Sequence, residues 1–373
     1  MKIAFITLNA YDILTGGHGG TAGGAQLQQV LIAREFVAKG HDVYFVEHEA
    51  DLKTEAEVDG ITIVTKPKPS GNFVSRAFQA SSGTFSVLKE IDPDVCYFRV
   101  LDFEIFPTVL YCKLFGSAFV YGFSHDNEVT RDPNSLTGPI KSSTPYLYLM
   151  RAALSAADAL IAQNDFQYDN ATRLFDAETY LVPNGYIDPD VEPDTAPPET
   201  PMVLWVSRFR SFKRPELVLE IAKQVPNARF VLIGSKNNEA LYDRIVDAAA
   251  AIDNVEVVGY VPYDEINDYF ETCDVFLNTS KSEGFPNTFL QAWAHRKPVV
   301  SLDVDPNDII ATNEMGFCAD DSVDDLVEQL QEIVDDDASR RAMGDAAYEY
   351  FTANHSIESV ATEYERVFET VSQ

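Results

Sequence analysis

Short apolar segments alternate with helical patterns along most of this chain, and this alternation constrains the fold more than any other feature of the sequence. In the first half the predicted strands are Lys2–Leu8, Asp42–Glu47, Ile61–Val64, Val95–Phe98, Ala118–Tyr121, Ala159–Ala162 and Tyr180–Val182. Short apolar strands separated by helices are typical of a parallel sheet with helices on both faces. We therefore predict that this half is a doubly wound, Rossmann-like α/β domain.

A loop rich in proline and acidic residues, Asp188–Pro201, interrupts the alternation, which then starts again. The predicted strands of the second half are Val203–Val206, Arg229–Ile233, Val255–Val258, Val275–Asn278 and Pro298–Ser301. A chain of 373 residues exceeds the length at which a single core keeps growing. We predict two Rossmann-like domains, residues 1–187 and 188–355, that face each other across a cleft. Ligands are expected there, at the carboxyl ends of the strands.

The segment from Ser282 to Val300 has the features of a ligand-binding loop that opens a helix. The residues after Pro286 are apolar at helical spacing, and the N-terminus of a helix attracts anions through its free N–H groups. Glu283 lies in the approach loop, and Gln291 follows eight residues later, where it is expected to face the same pocket. Taken alone, a glutamate beside a glycine would indicate only an ordinary turn.

The unbroken letters Ser-Glu-Gly-Phe-Pro-Asn-Thr-Phe-Leu resemble the Glu-x7-Glu motif of the retaining glycosyltransferases of family four. The resemblance covers almost the whole chain and implies the GT-B fold, with the last helix, about residues 356–373, packed back on the first domain. It also implies an acceptor-binding first domain and a second domain that binds a nucleotide-sugar donor. The second glutamate of the motif is Gln291 here. Because a charge-assisted hydrogen bond is roughly twice as strong as a neutral one, we expect donor binding to be about fivefold weaker.

The resemblance also assigns donor contacts to residues around the motif. In the motif itself these are Phe285, Pro286, Asn287 and Thr288, together with Glu283 and Gln291. The segment that contains Tyr260 and Val261 resembles the one whose backbone meets the nucleobase, and Gly234 is expected to flank the same base. Backbone contacts leave no signature in a sequence, so the nucleobase stays open.

Two basic residues of the second half occupy positions with a known counterpart in the family. Arg208 follows a predicted strand and Lys213 precedes a predicted helix, and in the family an arginine and a lysine at this spacing clamp the donor diphosphate. Fixed cations would stabilise the negative charge that develops on the leaving diphosphate. Lys213 is preferred over Arg214 on alignment alone, and two solvated surface cations remain the alternative interpretation.

His125 follows the strand predicted at Ala118–Tyr121, and the resemblance implies that it hydrogen-bonds a sugar hydroxyl and orients the reacting carbon. A histidine that caps a turn is the competing interpretation. A metal site formed by His125, Asp126 and Glu128 ranks low, because their spacing matches no closed site and the basic pair already supplies positive charge. We predict no metal and no cofactor.

A glycine-rich loop precedes the first long helix and supports two different functions. In the family, the glycine before this helix contacts the donor phosphates, and Gly24 is the best match, with Gly23 as the alternative. The stretch from Gly17 to Ala22 also fits a dinucleotide fingerprint, with Glu47 as its ribose-binding acid. An NAD-dependent oxidoreductase is therefore the main alternative, although this fingerprint begins eight residues after the predicted first strand rather than at its end.

The chain carries 59 acidic and 28 basic residues, a net charge of −31, and the acidic residues are spread along its length. At ~1 M salt the Debye length is about 3 Å, so the self-repulsion of such a surface is screened. The charge indicates adaptation to high salt. It disfavours nucleic acid as a partner, because phosphate binding needs the opposite sign.

The cysteines and the hydropathy of the chain indicate where in the cell the protein is located. Cys96, Cys112, Cys273 and Cys318 form no Cys-x-x-Cys pair and lie among apolar residues, which is typical of buried thiols in a reducing compartment. No window approaches the ~18 apolar residues of a membrane span. We predict a cytoplasmic protein.

A peripheral membrane contact is predicted for the first domain. Residues 1–185 have a net charge of −8, against −23 for the remainder, so an anionic surface repels them less. The cations Lys66, Lys68 and Arg76 interleave with Phe73 and Phe78, as at the interfacial surfaces of peripheral proteins. A basic loop that is merely solvated is the alternative.

Together these observations predict a retaining glycosyltransferase that moves a sugar from a nucleotide-diphosphate donor to a hydroxyl acceptor in a glycan, a polysaccharide or a lipid-linked saccharide. The expected catalytic residues are Glu283, His125, Arg208 and Lys213. A nucleotide-sugar-binding pseudoenzyme is a further alternative, because Gln291 departs from the motif. The sugar, the nucleobase, the acceptor and the oligomeric state stay open.

Overall fold

The computed structural model describes residues 1–7, 10–15, 23–48, 56–67, 70–130, 144–192, 199–236, 238–263 and 265–373, with the backbone alone for 56, 73–78 and 144–147. The chain divides into two compact units. Unit 1 consists of Met1–Gly185 and Ile357–Gln373, and unit 2 is Tyr186–Ser356. Among the residues covered by these ranges, no helix is long and apolar enough to cross a membrane.

Unit 1 is built on a sheet of eight strands, counted over its described residues. The strands are β1 (Lys2–Ile6), β2 (Asp42–His48), β3 (Ala56–Val58), β4 (Ile61–Lys66), β5 (Val95–Arg99), β6 (Ala118–Gly122), β7 (Ala159–Ala162) and β8 (Thr179–Leu181). Their order is β3-β4-β2-β1-β5-β6-β7-β8. Pairings are parallel except that of the edge strand β3 with β4.

Helices cover both faces of this sheet. They are α1 (Tyr11–Thr15), α2 (Gly24–Ala38), α3 (Phe73–Ile91), α4 (Ile105–Phe115), α5 (Thr144–Ser155), α6 (Asp165–Leu174) and the last helix of the chain, α14 (Ile357–Val371). Helices α3, α4 and α5 share one core with alternate strand residues such as Ala4. The neighbouring Phe5 points to the opposite face, where its ring meets that of Phe36 in α2, and Phe36 in turn meets Phe368 of α14.

Unit 2 has a six-stranded sheet in its described residues, and every pairing is parallel. The strands are β9 (Met202–Val206), β10 (Arg229–Ile233), β11 (Val255–Gly259), β12 (Val275–Asn278), β13 (Val299–Ser301) and β14 (Gly316–Cys318), in the order β11-β10-β9-β12-β13-β14. The helices are α7 (Pro215–Gln224), α8 (Glu239–Ala249), α9 (Ile266–Thr272), α10 (Asn287–Ala294), α11 (Ile309–Thr312), α12 (Val323–Asp335) and α13 (Asp337–Asn354).

The predicted fold class, two α/β units with doubly wound parallel sheets, is confirmed. Each predicted strand is present, with its ends shifted by no more than two residues. Strands β3 and β14 were not predicted, because each has only three residues and shows no period. All four cysteines are free, and only Cys318 is partly exposed.

Candidate active site

The predicted donor-site residues of unit 2 lie at one edge of its sheet. Arg208, Gly234, Tyr260 and Glu283 each follow a different strand, from β9 to β12. Because these strands are parallel, their carboxyl ends meet at the same edge, which is where ligands bind to such sheets. The fold therefore brings together residues that are up to 75 positions apart in the sequence.

Lys213 and Glu283 form an ion pair at this edge of the sheet. Lys213 ends a single 3-10 turn, Ser211–Lys213, and its ammonium contacts the Glu283 Oε1 atom. The two side chains are 16% and 15% exposed, so the pair is largely shielded but open on one side. An ammonium group has three N–H donors. The pair can therefore hold a further anionic oxygen without breaking.

Thr279 joins the two loops that carry this ion pair. The Trp205 Nε1 atom donates to the Thr279 hydroxyl at 3.0 Å, and this hydroxyl donates to the Lys213 carbonyl at 2.7 Å. The Lys281 N–H donates to the Phe212 carbonyl at 2.8 Å. These bonds fix the backbone on both sides of the pair. Thr279 was not predicted, although its position directly after the buried strand β12 is a signal for a site residue.

Arg214 stabilises the loops instead of facing the pair. Its backbone is left-handed, with φ 52°, which turns its side chain away from that of Lys213. The guanidinium donates to the carbonyls of Thr279 at 2.7 Å and Ser280 at 3.2 Å, and it also pairs with Asp321. Of the two neighbouring cations, Lys213 thus contacts Glu283, and Arg214 contacts the loop carbonyls and Asp321.

Arg208 is the second predicted cation of the site. Burial lowers the pKa of its guanidinium, the nearby charge of Arg210 lowers it further, and Glu283 partly offsets both effects. A desolvated guanidinium beside a like charge is stabilised by an anion. Arg208 makes no ion pair with any residue that the structure describes. The site therefore has an excess of positive charge in a chain that is otherwise acidic.

Gln291 lies one turn inside α10 and is 5% exposed. Its Nε2 atom donates to the Tyr186 hydroxyl at 3.4 Å, and that hydroxyl donates to the Asn267 Oδ1 atom at 2.9 Å. Burial raises the pKa of Tyr186, although its side-chain hydrogen bonds oppose this effect. The amide of Gln291 thus contacts the first residue of unit 2. Nothing in the sequence indicated this contact between residues 105 positions apart.

The other residues of the motif divide into buried and accessible positions. Phe285 is buried, and its ring lies 5.0 Å from that of His355 and 6.2 Å from that of Trp293. Pro286 is buried as the residue before α10, whereas Asn287 and Thr288 are partly exposed in its first turn. The first-turn residues can therefore meet a ligand, and Phe285 is mainly a packing residue.

The segment predicted to meet the nucleobase is built on a close backbone contact. The Gly234 N–H donates to the Gly259 carbonyl at 2.8 Å, and a Cβ atom at Gly234 would lie 1.7 Å from the Ser207 carbonyl oxygen. Only glycine fits there. Tyr260 is 40% exposed and Val261 is partly exposed at the same edge.

Two predicted site residues belong to unit 1. Gly24 is the exposed first residue of α2, and the neighbouring Gly23 N–H donates to the Gln26 side chain at 3.0 Å. His125 begins a 3-10 turn after β6, and its Nδ1 atom accepts from the Asn127 N–H at 3.2 Å. This hydrogen bond is the turn cap that the competing interpretation of His125 predicted.

The metal interpretation of the residues after β6 finds no geometric support. The Glu128 carboxylate accepts from the Tyr121 hydroxyl at 2.5 Å and from the Ser124 N–H at 3.2 Å. Burial raises the pKa of Glu128, although these hydrogen bonds oppose the effect. Within the described parts of the chain, no three His, Cys, Asp or Glu side chains are grouped as metal ligands would be.

Lys66 was predicted to be a surface cation, and this is wrong. It is 1% exposed, and its Nζ atom lies 2.5 Å from the Glu104 carboxylate and 2.5 Å from the Thr84 hydroxyl. Burial lowers the pKa of Lys66, and Glu104 opposes the effect. The partner lies 38 positions away in the sequence, so the strand pattern could not reveal it. Lys68 and the side chains of Phe73, Arg76 and Phe78 lie outside the described part of the structure.

Glu47, the ribose-binding acid of the dinucleotide alternative, has a structural role. It is 3% exposed and accepts from the N–H groups of Ala10 at 2.6 Å and Tyr11 at 3.2 Å, at the start of α1. The glycines of that fingerprint, from Gly17 onward, lie outside the described residues.

Comparisons with known proteins identify the class to which this fold and site belong. Residues 22–190 match Glycosyltransferase Family 4, and residues 188–350 match Glycosyl transferases group 1. The chain belongs to these glycosyltransferases.

Individual relatives agree with this assignment. The chain is 20% identical over 381 residues to an uncharacterized glycosyltransferase of Haemophilus influenzae, covering 98% of this chain and 99% of that protein. It is 32% identical over 85 residues to an alpha-monoglucosyldiacylglycerol synthase of Acholeplasma laidlawii, a match that covers 23% of this chain and only 21% of that relative. The sucrose-phosphate synthase structure from Thermosynechococcus elongatus superposes with a TM-score of 0.84 at 17% identity, over 100% of this chain and 99% of that one, and thus shares its fold.

The protein is thus an enzyme, a glycosyltransferase of the GT-B fold. The oxidoreductase alternative is not retained, because the matched families account for both units and Glu47 is occupied by the start of α1.

Proposed function

We propose that this protein is a retaining glycosyltransferase that moves a sugar from a nucleotide-diphosphate donor to a hydroxyl acceptor. The observation that carries the proposal is the Lys213–Glu283 ion pair, placed at the carboxyl edge of the unit 2 sheet beside Arg208 and ahead of α10. Two cations and a helix N-terminus at one edge suit a diphosphate.

The geometry suggests a role for each of these groups. When the bond between the sugar and the diphosphate breaks, negative charge develops on the leaving phosphate oxygens. Arg208 and Lys213 are positioned to stabilise this charge, and both are partly withdrawn from water, which strengthens the interaction. Glu283 holds Lys213 in place and offers its second carboxylate oxygen to the hydroxyls of the donor sugar. In a front-face reaction the leaving phosphate accepts the proton of the acceptor hydroxyl.

No metal or other cofactor is assigned in this proposal. The basic pair supplies the positive charge that a divalent cation supplies in other sugar-nucleotide sites. Gly24 and His125 of unit 1 are proposed to contact the donor phosphates and the donor sugar, respectively, and Gln291 its ribose.

We propose a saccharide or lipid-linked acceptor, bound by unit 1. One relative is named for a glucosylated diacylglycerol, which supports an acceptor of the lipid class. A cytoplasmic location is proposed from the four free cysteines, because a reducing compartment preserves thiols.

The substitution Glu283→Ala tests the proposal. With a panel of nucleotide-diphosphate sugars, it should reduce release of nucleoside diphosphate at least about a hundredfold, because one stabilising contact in the transition state contributes on that scale. The matched control is Glu220→Ala, at an exposed carboxylate of α7, which should keep full activity. Product anomers are assigned by NMR. Full turnover of Glu283→Ala, or an inverted anomer, would contradict the proposal.

A further inference from the structure

Two neighbouring helices of unit 1, α4 and α5, expose an unusual amount of apolar surface. Among the large apolar side chains of the described residues, the five most exposed all belong to these helices: Leu110 (55%), Leu114 (63%), Phe115 (49%), Tyr148 (68%) and Leu149 (57%). We call this set the apolar face. Contiguous exposed apolar surface on a protein usually marks a place of contact.

The residues of the apolar face are not needed to build the core, because other residues of α4 and α5 do so. The inward sides of the same helices carry Tyr111, Cys112, Met150 and Leu154, all about 1% exposed or less, in the core against the sheet. Phe115, the last residue of α4, lies at the edge of this core, where its ring stacks on that of Tyr111 at 4.9 Å. Leu110 and Leu114 are one helical turn apart and lie side by side on the outer surface of α4. The helices α3, α4 and α5 pack in sequence along one face of the sheet, so that α4 and α5 are neighbours.

The charge of these helices differs from that of the rest of the chain. Helices α4 and α5 contain no acidic residue and two basic ones, Lys113 and Arg151, although the chain has more than twice as many acidic as basic residues. By contrast, α12 alone carries five acidic residues and no basic one. Acidic residues are therefore absent from the two helices where the apolar side chains are exposed.

We propose that the apolar face binds the surface of a lipid bilayer that contains anionic lipids. Leucine and phenylalanine side chains insert among the acyl chains, and a tyrosine such as Tyr148 is suited to the headgroup level, where one end of the ring is apolar and the other is wet. Lys113 is 50% exposed beside this face and pairs with Asp158 at 2.9 Å. Because an ammonium has three N–H donors, Lys113 can contact a headgroup phosphate while it keeps this pair.

The charge pattern favours a bilayer over a second copy of the chain. Only charges within about one Debye length of an anionic surface are repelled by it. The two helices supply no acidic residue there, and the charge of the nearby Asp158 is balanced by Lys113. A second copy docked through the same face would bring the two cations, Lys113 and Arg151, against their own equivalents, whereas anionic headgroups offer them negative charge. This surface differs from the one predicted from the sequence, of which Lys66 is buried and the other side chains lie outside the described part of the structure.

Flotation with vesicles tests the proposal and requires no sugar nucleotide, so its failure is distinct from failure of the proposed function. The vesicles contain equal parts of phosphatidylglycerol and phosphatidylcholine, in ~2 M KCl to screen the overall charge. The wild-type protein should float with the vesicles. The double variant Leu114→Ser/Leu149→Ser should bind at least about tenfold more weakly, because both side chains lose their insertion into the bilayer.

The matched control is Phe166→Ser/Leu181→Ser, which removes two comparably exposed apolar side chains of unit 1 that lie outside α4 and α5. It should float like the wild-type protein. The proposal is overturned if the wild-type protein does not float or if both double variants float equally. It is also overturned if sedimentation shows a dimer that only Leu114→Ser/Leu149→Ser dissociates, because the face would then be an interface between copies.

Discussion

Adjacent residues in the loop after β9 take different roles because of one backbone angle. The left-handed conformation at Arg214 directs its guanidinium toward Thr279 and Asp321, while Lys213 is left to contact Glu283. The two neighbouring cations are thus distinguished by their contacts, since Lys213 meets Glu283 and Arg214 holds the loop of Thr279.

Alanine substitutions should separate these two roles. Lys213→Ala should lower turnover about a hundredfold or more and leave the melting temperature nearly unchanged, because the proposed function assigns this lysine to the developing phosphate charge. Arg214→Ala should lower the free energy of unfolding by about 1–3 kcal/mol, because two carbonyls and a carboxylate lose their donor. Steady-state kinetics and denaturant titration measure the two effects. A loss of turnover with Arg214→Ala and a loss of stability with Lys213→Ala would instead indicate that Arg214 binds the diphosphate.

A glutamate at position 291 should destabilise the protein. The Gln291 amide donates to a Tyr186 hydroxyl whose own proton is directed to Asn267, and a carboxylate has no proton to offer. We expect Gln291→Glu to lower the free energy of unfolding by about 1–3 kcal/mol, as measured by denaturant titration. Adding Tyr186→Phe should remove most of this penalty, as a double-mutant cycle would show.

The same variant distinguishes an active enzyme from a pseudoenzyme. Little change in turnover with Gln291→Glu indicates that glutamine is an accepted residue at this position. A large gain in turnover would instead indicate that the wild-type site has decayed.

At the scale of secondary-structure elements, the site depends on strands whose ends lie very close together. The turn after β10 passes so near the loop after β9 that Gly234 has no room for a Cβ atom. This contact sets the position of the loop that carries Arg208, because the Ser207 N–H also donates to the Ile233 carbonyl at 3.0 Å. A sequence pattern can show that a glycine follows a strand but not which backbone approaches it.

Gly234→Ala should therefore cost about 1–3 kcal/mol of unfolding free energy or more, since backbone rather than a flexible side chain must move. The control is Gly83→Ala in α3, where the added Cβ atom would lie 3.7 Å from Lys66 in ordinary contact. That control should be neutral or stabilising, because alanine favours a helix. Equal melting temperatures for Gly234→Ala and the wild-type protein would contradict the geometry.

Strand and helix positions were predictable because most of the buried strands are short apolar runs and α10 begins directly after Pro286. The loops of the proposed donor site were predictable as a group, because each follows a strand. The contacts of Gln291 and Lys66 were not, because their partners lie 105 and 38 positions away, and side-chain direction depends on packing. The edge strand β3 was missed because three residues, Ala56–Val58, form no pattern.

At the scale of the whole molecule, the net charge of −31 should make stability depend on salt. Raising KCl from ~0.1 M to ~2 M shortens the Debye length from about 10 Å to below about 3 Å and removes the repulsion among acidic residues. The melting temperature should rise over this range. A neutral osmolyte at matched osmolality, which screens no charge, should raise it less. A melting temperature that is constant or falls with KCl would refute the adaptation to high salt.

The central claim is that the cationic edge of unit 2 binds the diphosphate of a sugar nucleotide, and thermal melting with nucleotides tests it most directly. The protein is melted in ~2 M KCl with UDP, GDP, ADP or NAD, each at ~1 mM, because a ligand at about 100 times its dissociation constant stabilises by ~2.7 kcal/mol. One nucleoside diphosphate should raise the melting temperature, and Arg208→Ala and Lys213→Ala should each abolish the shift. A shift with NAD alone, or one that both substitutions leave intact, would contradict the account.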